Sequence, residues 1–300
     1  MIRLEHISKN YGNTLAVKDV SLEIEAGEIF GLVGPDGAGK TTLIRMLTGI
    51  LPATSGTLEV LGDSNPEKVK GHLGYVPQKF SLYGELTVME NICLLGSLYG
   101  QKEEEIQRLA SSILGFTKLL PFKDRLADNL SGGMKQKLAL AAGLMHQPKI
   151  FFLDEPTTGV DPVSRREFWQ MLFRLNKEEG TTIVVSTPYM DEAELCTRVA
   201  FMHNGQMVSL GSPQKLRQTY PYKVLELAVR DQQVKKYLEN CSIIDSNRFG
   251  DKYHLVVKDA KAAIVQVKSS LTKAGVSVTS LKEIPPTLED VFVAVASEVN

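Results

Sequence analysis

The sequence predicts an α/β protein: a largely parallel sheet covered by helices, interrupted by a mostly helical insertion and followed by a smaller α/β unit. Three observations carry this. Short, wholly apolar runs alternate with helix-periodic stretches, which is how strands buried on both faces read between their crossover helices. One such run passes directly through a glycine-rich segment into a helical pattern. Near Gly211–Tyr222 the texture changes, and the remainder of the chain has no glycine-rich loop.

Taken in order, Ile2–Ile7 and Val20–Ile24 alternate apolar with polar residues and read as half-buried strands. Glu28–Val33 (EIFGLV) is a buried strand, GPDGAGKTT a loop, and LIRMLTGI a helix. From about 82 to 148 the pattern turns helical, through LTVMENICLLGSLYG, EEEIQRLASSILGF and MKQKLALAAGLM. Ile150–Leu153 and Thr181–Ser186 are further buried strands, with a helix over Arg165–Asn176 between them and a short helix at Asp191–Cys196 after them. The expected domains are 1–215 and 221–300. No internal repeat, low-complexity tract or heptad run is present, which excludes solenoids and coiled coils.

At 300 residues, with 43% hydrophobic and 23% charged residues, the chain has the composition of a globular protein and enough length for a sizeable core. A net charge of −1 provides no basic field for steering nucleic acid or holding an anionic membrane surface. Cys93, Cys196 and Cys241 are widely spaced, without a CxxC pair, as expected of a reducing compartment. No stretch approaches the roughly 20 apolar residues of a transmembrane helix, and the start shows no apolar signal core. The expectation is a protein neither secreted nor integral, held at a membrane, if at all, by another protein.

Gly34-Pro35-Asp36-Gly37-Ala38-Gly39-Lys40-Thr41 fits the pattern G-x-x-x-x-G-K-[ST] between a buried strand and a helix, with Thr42 next in line. Its glycines allow backbone N–H groups to wrap phosphate oxygens. The helix start adds positive potential, Lys40 can reach β- and γ-phosphates, and Thr41 offers a hydroxyl to Mg²⁺. The G-x-G-x-x-G dinucleotide fingerprint is absent from this loop. Ile150–Leu153 ends in Asp154-Glu155, an apolar strand tipped by two acids. Asp154 is placed to hold Mg²⁺, and Glu155 to polarise a water attacking the γ-phosphate. Leu130-Ser131-Gly132-Gly133-Met134 opens a helix, with Ser131 at a natural capping position.

LSGGMKQK, lying between such a phosphate loop and an LDEPT segment, is similar to the signature of ABC ATPases, and the resemblance spans Met1–Leu210. It implies a P-loop NTPase core with an antiparallel β subdomain and an α-helical subdomain, ATP and Mg²⁺ as ligands, and ATP hydrolysis. It implies that Tyr11 stacks on adenine, a plane its ring suits. Gln78, in GYVPQKF, matches the Q-loop glutamine that reaches Mg²⁺ and the attacking water. Ser131, Gly132 and Gly133, with Asp161 of TTGVDP matching the D-loop, would meet the nucleotide of a second subunit, so that two chains sandwich two ATP molecules. One position departs from the family pattern. Where S-T-H-x-x-x-E-A-E carries a histidine that contacts the γ-phosphate, this chain reads Ser186-Thr187-Pro188-Tyr189-Met190-Asp191-Glu192-Ala193-Glu194, and proline has neither a side-chain donor nor an N–H. None of the five histidines is an obvious substitute.

Pro285-Pro286-Thr-Leu-Glu-Asp-Val-Phe292 resembles the ending of ATPases that serve ABC-2-type exporters, multidrug and antibiotic efflux systems among them, and Met134 suits that branch. The function these resemblances imply is the ATPase subunit of a membrane exporter, at the cytoplasmic face of the membrane. Its expected partners are a separate permease and a second ATPase, either a copy or, as Pro188 favours, a related chain; no nucleic acid is expected. The alternative is a regulatory subunit that binds ATP with little turnover. A soluble ABC ATPase of translation or DNA is disfavoured by the single cassette and the lack of basic charge. The transported substrate is not encoded in this chain.

Overall fold

A computed structural model describes residues 1–229 and 234–297. The chain divides into two units, Met1–Gly211 and Ser212–Asn300.

The first unit begins with β1 (Ile2–Tyr11) and β2 (Thr14–Ile24), longer strands than the alternation alone marks out, paired antiparallel around the Gly12 turn. β3 (Ile29–Val33) is buried at every residue and leads through the glycine loop into α1 (Lys40–Leu47). Then come β4 (Ser55–Val60), the short α2 (Pro66–Val69) and β5 (Leu73–Val76). The helical stretch resolves into α3 (Val88–Leu98), α4 (Glu103–Phe116) and α5 (Gly132–Leu144). β6 (Ile150–Asp154), α6 (Pro162–Glu179), β7 (Thr182–Thr187), α7 (Met190–Ala193), β8 (Arg198–His203) and β9 (Gln206–Gly211) complete the unit.

β1, β2 and β4 form an antiparallel sheet of order β2-β1-β4. The main sheet runs β5-β6-β7-β3-β8-β9, with every neighbouring pair parallel except the β8–β9 hairpin. β3, β6 and β7 are buried along their whole length, and Phe30, Leu32, Ile150, Phe152 and Val184 join α1 and the antiparallel sheet in one core. The helical subdomain has its own core, in which Val88 and Ile92 of α3, Ile106 and Leu114 of α4, and Leu138 and Ala141 of α5 meet. Its first helix is closed by a full capping box, Thr87 with Glu90.

α6 extends at both ends beyond the apolar periodicity. Asp161 caps it by accepting from the Val163 and Ser164 N–H groups at 3.0 Å each, Pro162 occupies the first turn, and Gly180 ends it in the left-handed conformation. α5 starts at Gly132, three residues before the polar-apolar pattern becomes helical, because Ser131 accepts the Met134 N–H at 3.3 Å.

The second unit holds α8 (Pro213–Gln218), β10 (Lys223–Val229), α9 (Lys235–Leu238), β11 (Ile243–Phe249), β12 (Lys252–Val257), α10 (Ala260–Lys273), β13 (Val278–Ile284) and α11 (Leu288–Ser297). Its strands make an antiparallel sheet of order β11-β12-β10-β13, and its core gathers Leu225, Leu255, Val267 and Leu271. His254, buried on β12, hydrogen-bonds Asp290 on α11 at 3.1 Å, and the other Asp290 oxygen accepts from the Thr287 N–H and hydroxyl. Burial, with Asp290 and Asp245 nearby, pushes the Tyr220 phenol up to about 12.

Candidate functional site

Of the groups singled out in sequence, the phosphate loop, Gln78, the Asp154-Glu155 pair and Pro188 lie at the carboxyl ends of four adjacent parallel strands, where open α/β sheets bind ligands. The phosphate loop follows β3, Gln78 follows β5, Asp154 ends β6 with Glu155 next, and Thr187 ends β7 with Pro188 next. The parallel registers Phe152↔Val184 and Leu32↔Ser186 bring these ends level.

Gly34 and Ala38 are buried while Pro35, Asp36 and Gly37 are exposed, so the loop arches outward and returns into α1. Gly39 caps the helix at φ +99°, and a Cβ there would lie 2.5 Å from the Ala16 carbonyl oxygen. Only glycine satisfies both the conformation and the close approach. The Lys40 side chain, 4% exposed, folds back over the loop. Its ammonium donates to the Gly34 and Pro35 carbonyls at 2.8 and 2.9 Å and pairs with Glu155 Oε1 at 3.1 Å, which uses all three of its donors. Thr41 donates from Oγ1 to Asp154 Oδ1 at 3.0 Å, and Thr42 is half-buried one residue on.

Asp154 is fully buried. Its Oδ1 also accepts the Ser186 hydroxyl at 2.7 Å, while its Oδ2 is buried with no hydrogen-bond partner. Ser186 Oγ in turn accepts the Glu155 N–H at 2.9 Å. Glu155 sits at φ +49°, a conformation that costs a non-glycine residue about 1 kcal/mol. Glu155 Oε2 accepts from Gln78 Nε2 at 2.8 Å and from Thr158 Oγ1 at 3.4 Å.

This donor set fits Mg²⁺. The cation takes one or two carboxylates together with phosphate oxygens and waters, and here one hydroxyl and one carboxylate, with a buried oxygen left unpaired, stand beside the phosphate loop.

A second cluster is separate. Ser131 and Gly132 are exposed at the start of α5, and Asp161 is exposed at the start of α6. The two helix starts touch: a Cβ on Gly133 would lie 2.6 Å from Ser164 Cβ. Further along, Lys137 of α5 and Lys118 both pair with Glu167 of α6, and the Lys137 hydrogen bond, followed by that of Lys118, holds the Glu167 carboxyl below its ordinary range. Among the described residues, no hydrogen bond or ion pair joins Ser131, Gly132, Gly133 or Asp161 to residues 34–42. Tyr11 stands at the end of β1, 47% exposed, with the Lys9 ammonium 5.5 Å above its ring.

Sequence reasoning missed Ser186, which joins both acids, and the buried Glu192 behind them. Glu192 accepts hydroxyl hydrogen bonds from Thr157 and Thr187 and lies 3.4 Å from Arg165 Nε. The signal that could have found them was local: Ser186 and Glu192 fall on the serine and the first glutamate of the S-T-H-x-x-x-E-A-E pattern.

A family model described as ABC transporter matches residues 17–158, and one described as the C-terminal domain of DrrA1-3-like ATP-binding proteins matches residues 211–296. The chain is 41% identical over 285 residues to the probable multidrug ABC transporter ATP-binding protein YbhF of Escherichia coli, covering 93% of this chain and 48% of that protein, so it spans about half the length of that relative. It is 36% identical over 296 residues to the Nod factor export ATP-binding protein I of Rhizobium leguminosarum bv. viciae, covering 97% and 93% of the two chains. Among solved structures it is similar to the ATP-binding cassette MJ0796, seen as a dimer in a post-hydrolysis state bound to ADP and Pi, with a TM-score of 0.66 and 28% identity over 71% of this chain and 98% of that one.

Proposed function

The chain belongs to the ATP-binding proteins of ABC transporters, and on that footing we propose that it hydrolyses ATP to drive an exporter whose permease is a separate chain at the membrane. The observation that carries the proposal is the meeting of Lys40, Thr41, Gln78, Asp154 and Glu155 at the ends of β3, β5 and β6. In this reading the N–H groups of residues 34–42 cradle the phosphates and Lys40 binds the β- and γ-phosphates. Glu155, oriented by Gln78 and Thr158, accepts the proton of the attacking water. Thr41 and Asp154, with Gln78 alongside, would hold Mg²⁺, which when bound would supply charge neutralisation to the transferring phosphoryl group. Tyr11 receives the adenine ring on its exposed face.

Ser131, Gly132, Gly133 and Asp161 belong to the site of a second subunit, because Ser131, Gly132 and Asp161 are exposed at two helix starts that touch at the buried Gly133, and none of the four contacts the phosphate loop of this chain. ATP binding then closes two chains on two nucleotides, and hydrolysis reopens them. Export is supported by the printed functions of relatives, one multidrug and one Nod factor, and by the DrrA-like C-terminal match. No helix among the described residues is long and apolar enough to cross a membrane, in keeping with a chain docked to a permease. The domains are a cassette over 1–215 and an accessory domain over 221–300.

Trans complementation tests the shared site. Lys40→Ala removes the phosphate ligand and Ser131→Arg obstructs the signature surface, so each variant alone is inactive, while their mixture regains the activity of one intact site per mixed dimer. A mixture no more active than its parts refutes the shared geometry. Substantial turnover by folded Lys40→Ala alone refutes the site.

A further inference from the structure

Four segments border the proposed site, and a single buried carboxylate ties them together. Glu192, on α7, is 1% exposed. Its Oε1 accepts the hydroxyl of Thr157, in the loop after Glu155. Its Oε2 accepts the Thr187 hydroxyl at 2.6 Å, at the tip of β7 just before Pro188. The Arg165 guanidinium, in the first turn of α6 behind Asp161, lies 3.4 Å from Glu192 Oε1 and 4.4 Å above the Tyr189 ring. The chain of contacts continues outward. The Thr187 carbonyl accepts the N–H of Gly34, the first residue of the phosphate loop, at 3.3 Å, and Thr187 Oγ1 accepts the Tyr189 N–H at 3.0 Å. Thr158, next to Thr157, donates to Glu155.

We propose that Glu192 is a positioning residue for hydrolysis, holding the Glu155 loop, the phosphate loop and the α6 start in one register through Thr157, Thr187 and Arg165. The proposal rests on the site reading above. Glu192 touches none of the groups assigned to phosphate, metal or water, so it acts only through the residues it anchors. A carboxylate suits the task because its two oxygens accept from both threonines at once while its charge faces Arg165. An amide has one oxygen and no charge, so glutamine cannot keep all three contacts. The anchoring matters because misplacement of a reacting group by about 1 Å costs on the order of 100-fold in rate.

The test is steady-state ATPase kinetics of the full chain, with displacement of a fluorescent ATP analogue and thermal melting of each variant. Glu192→Gln and Thr157→Val are each expected to lower kcat about 10- to 100-fold, with KM and nucleotide affinity held within about threefold, the signature of an interaction felt in the transition state. Thr157→Ser, which keeps the hydroxyl, recovers most of the rate that Thr157→Val loses. The double variant Glu192→Gln/Thr157→Val is no slower than the slower single one, because both break one network. Wild-type kcat in Glu192→Gln overturns the proposal, as does a parallel loss of kcat, nucleotide affinity and melting temperature that Thr157→Ser does not repair. Should Glu192→Gln fail to fold, the Thr157 pair decides alone. Glu155→Gln, measured alongside, separates the two readings: wild-type turnover there defeats the site assignment, whereas lost turnover there with wild-type turnover in Glu192→Gln defeats only the role of Glu192.

Discussion

Lys40 and Glu155 face each other with side chains 4% and 6% exposed, and each is the other's nearest opposite charge. Removing one partner of a buried ion pair leaves an uncompensated charge and costs about 3–5 kcal/mol, whereas removing both charges costs far less. Lys40→Ala is therefore expected to lower unfolding stability by about that amount as well as to abolish turnover. The double variant Lys40→Ala/Glu155→Gln regains more than half of the loss, as read by urea unfolding without nucleotide. Additive losses would show that the pair is not coupled in solution. The role proposed for Lys40 could be read in sequence, because the spacing from Gly34 to Thr41 fits a contiguous phosphate-loop pattern whose parts lie within eight residues. That the same ammonium contacts Glu155, 115 positions further along, was not legible, since only the pairing of β6 with β7 and of β7 with β3 sets that distance.

At the scale of elements, α5 and α6 are joined at two points. Gly133 permits their starts to touch, and the Lys137–Glu167–Lys118 cluster fastens them further along. The Glu167 carboxyl is held low, first by the Lys137 hydrogen bond, so its charged form is favoured in the folded chain. Linkage sets the sign. The stabilisation is fully present above the ordinary glutamate value of about 4.3 and is lost as pH falls through the lower folded value. Glu167→Gln should thus destabilise the chain at pH 7, and the difference from wild type should shrink steadily below about pH 4. A difference that is constant with pH would mean that the contact is steric. The helical pattern of α5 and α6 could be read from periodicity, but their contact could not. β4 and β5 escaped for a related reason. β4 is mostly exposed, with only Val60 buried, and β5 is four residues long, so neither shows an alternation that stands out from loop sequence.

For the whole molecule, the position after β7 bears on how fast this chain's own proposed site can turn over. Pro188 stands where the resembled pattern has a donor to the γ-phosphate, and loss of one such donor costs roughly 100- to 1,000-fold in rate. Ser131, Gly133 and Asp161 are present, so the chain retains what the proposed shared arrangement asks of it toward a partner, and pairing with a related ATPase would join one slow site to one fast site. Pro188→His is then expected to raise hydrolysis at this chain's own site, by about 100-fold if the donor alone is limiting. Glu155→Gln should slow the assembly less than the equivalent change in its partner. Single-turnover measurements on the reconstituted complex check both. If Pro188→His leaves the rate unchanged, proline is compatible with ordinary catalysis. By itself the sequence supplied the candidate chemistry: the phosphate loop, the acid pair at the tip of β6, the signature segment and the departure at Pro188 are each short stretches whose proposed roles are read from contiguous residue types. Only the tertiary structure decided which of them meet. Sheet order and register bring Gln78, Glu155 and Lys40 together, burial selects Glu192 as the anchor behind them, and the packing of α5 on α6 groups Ser131 with Asp161 rather than with Lys40. Such relations run across the strands, between residues far apart in the chain, where local periodicity carries no information.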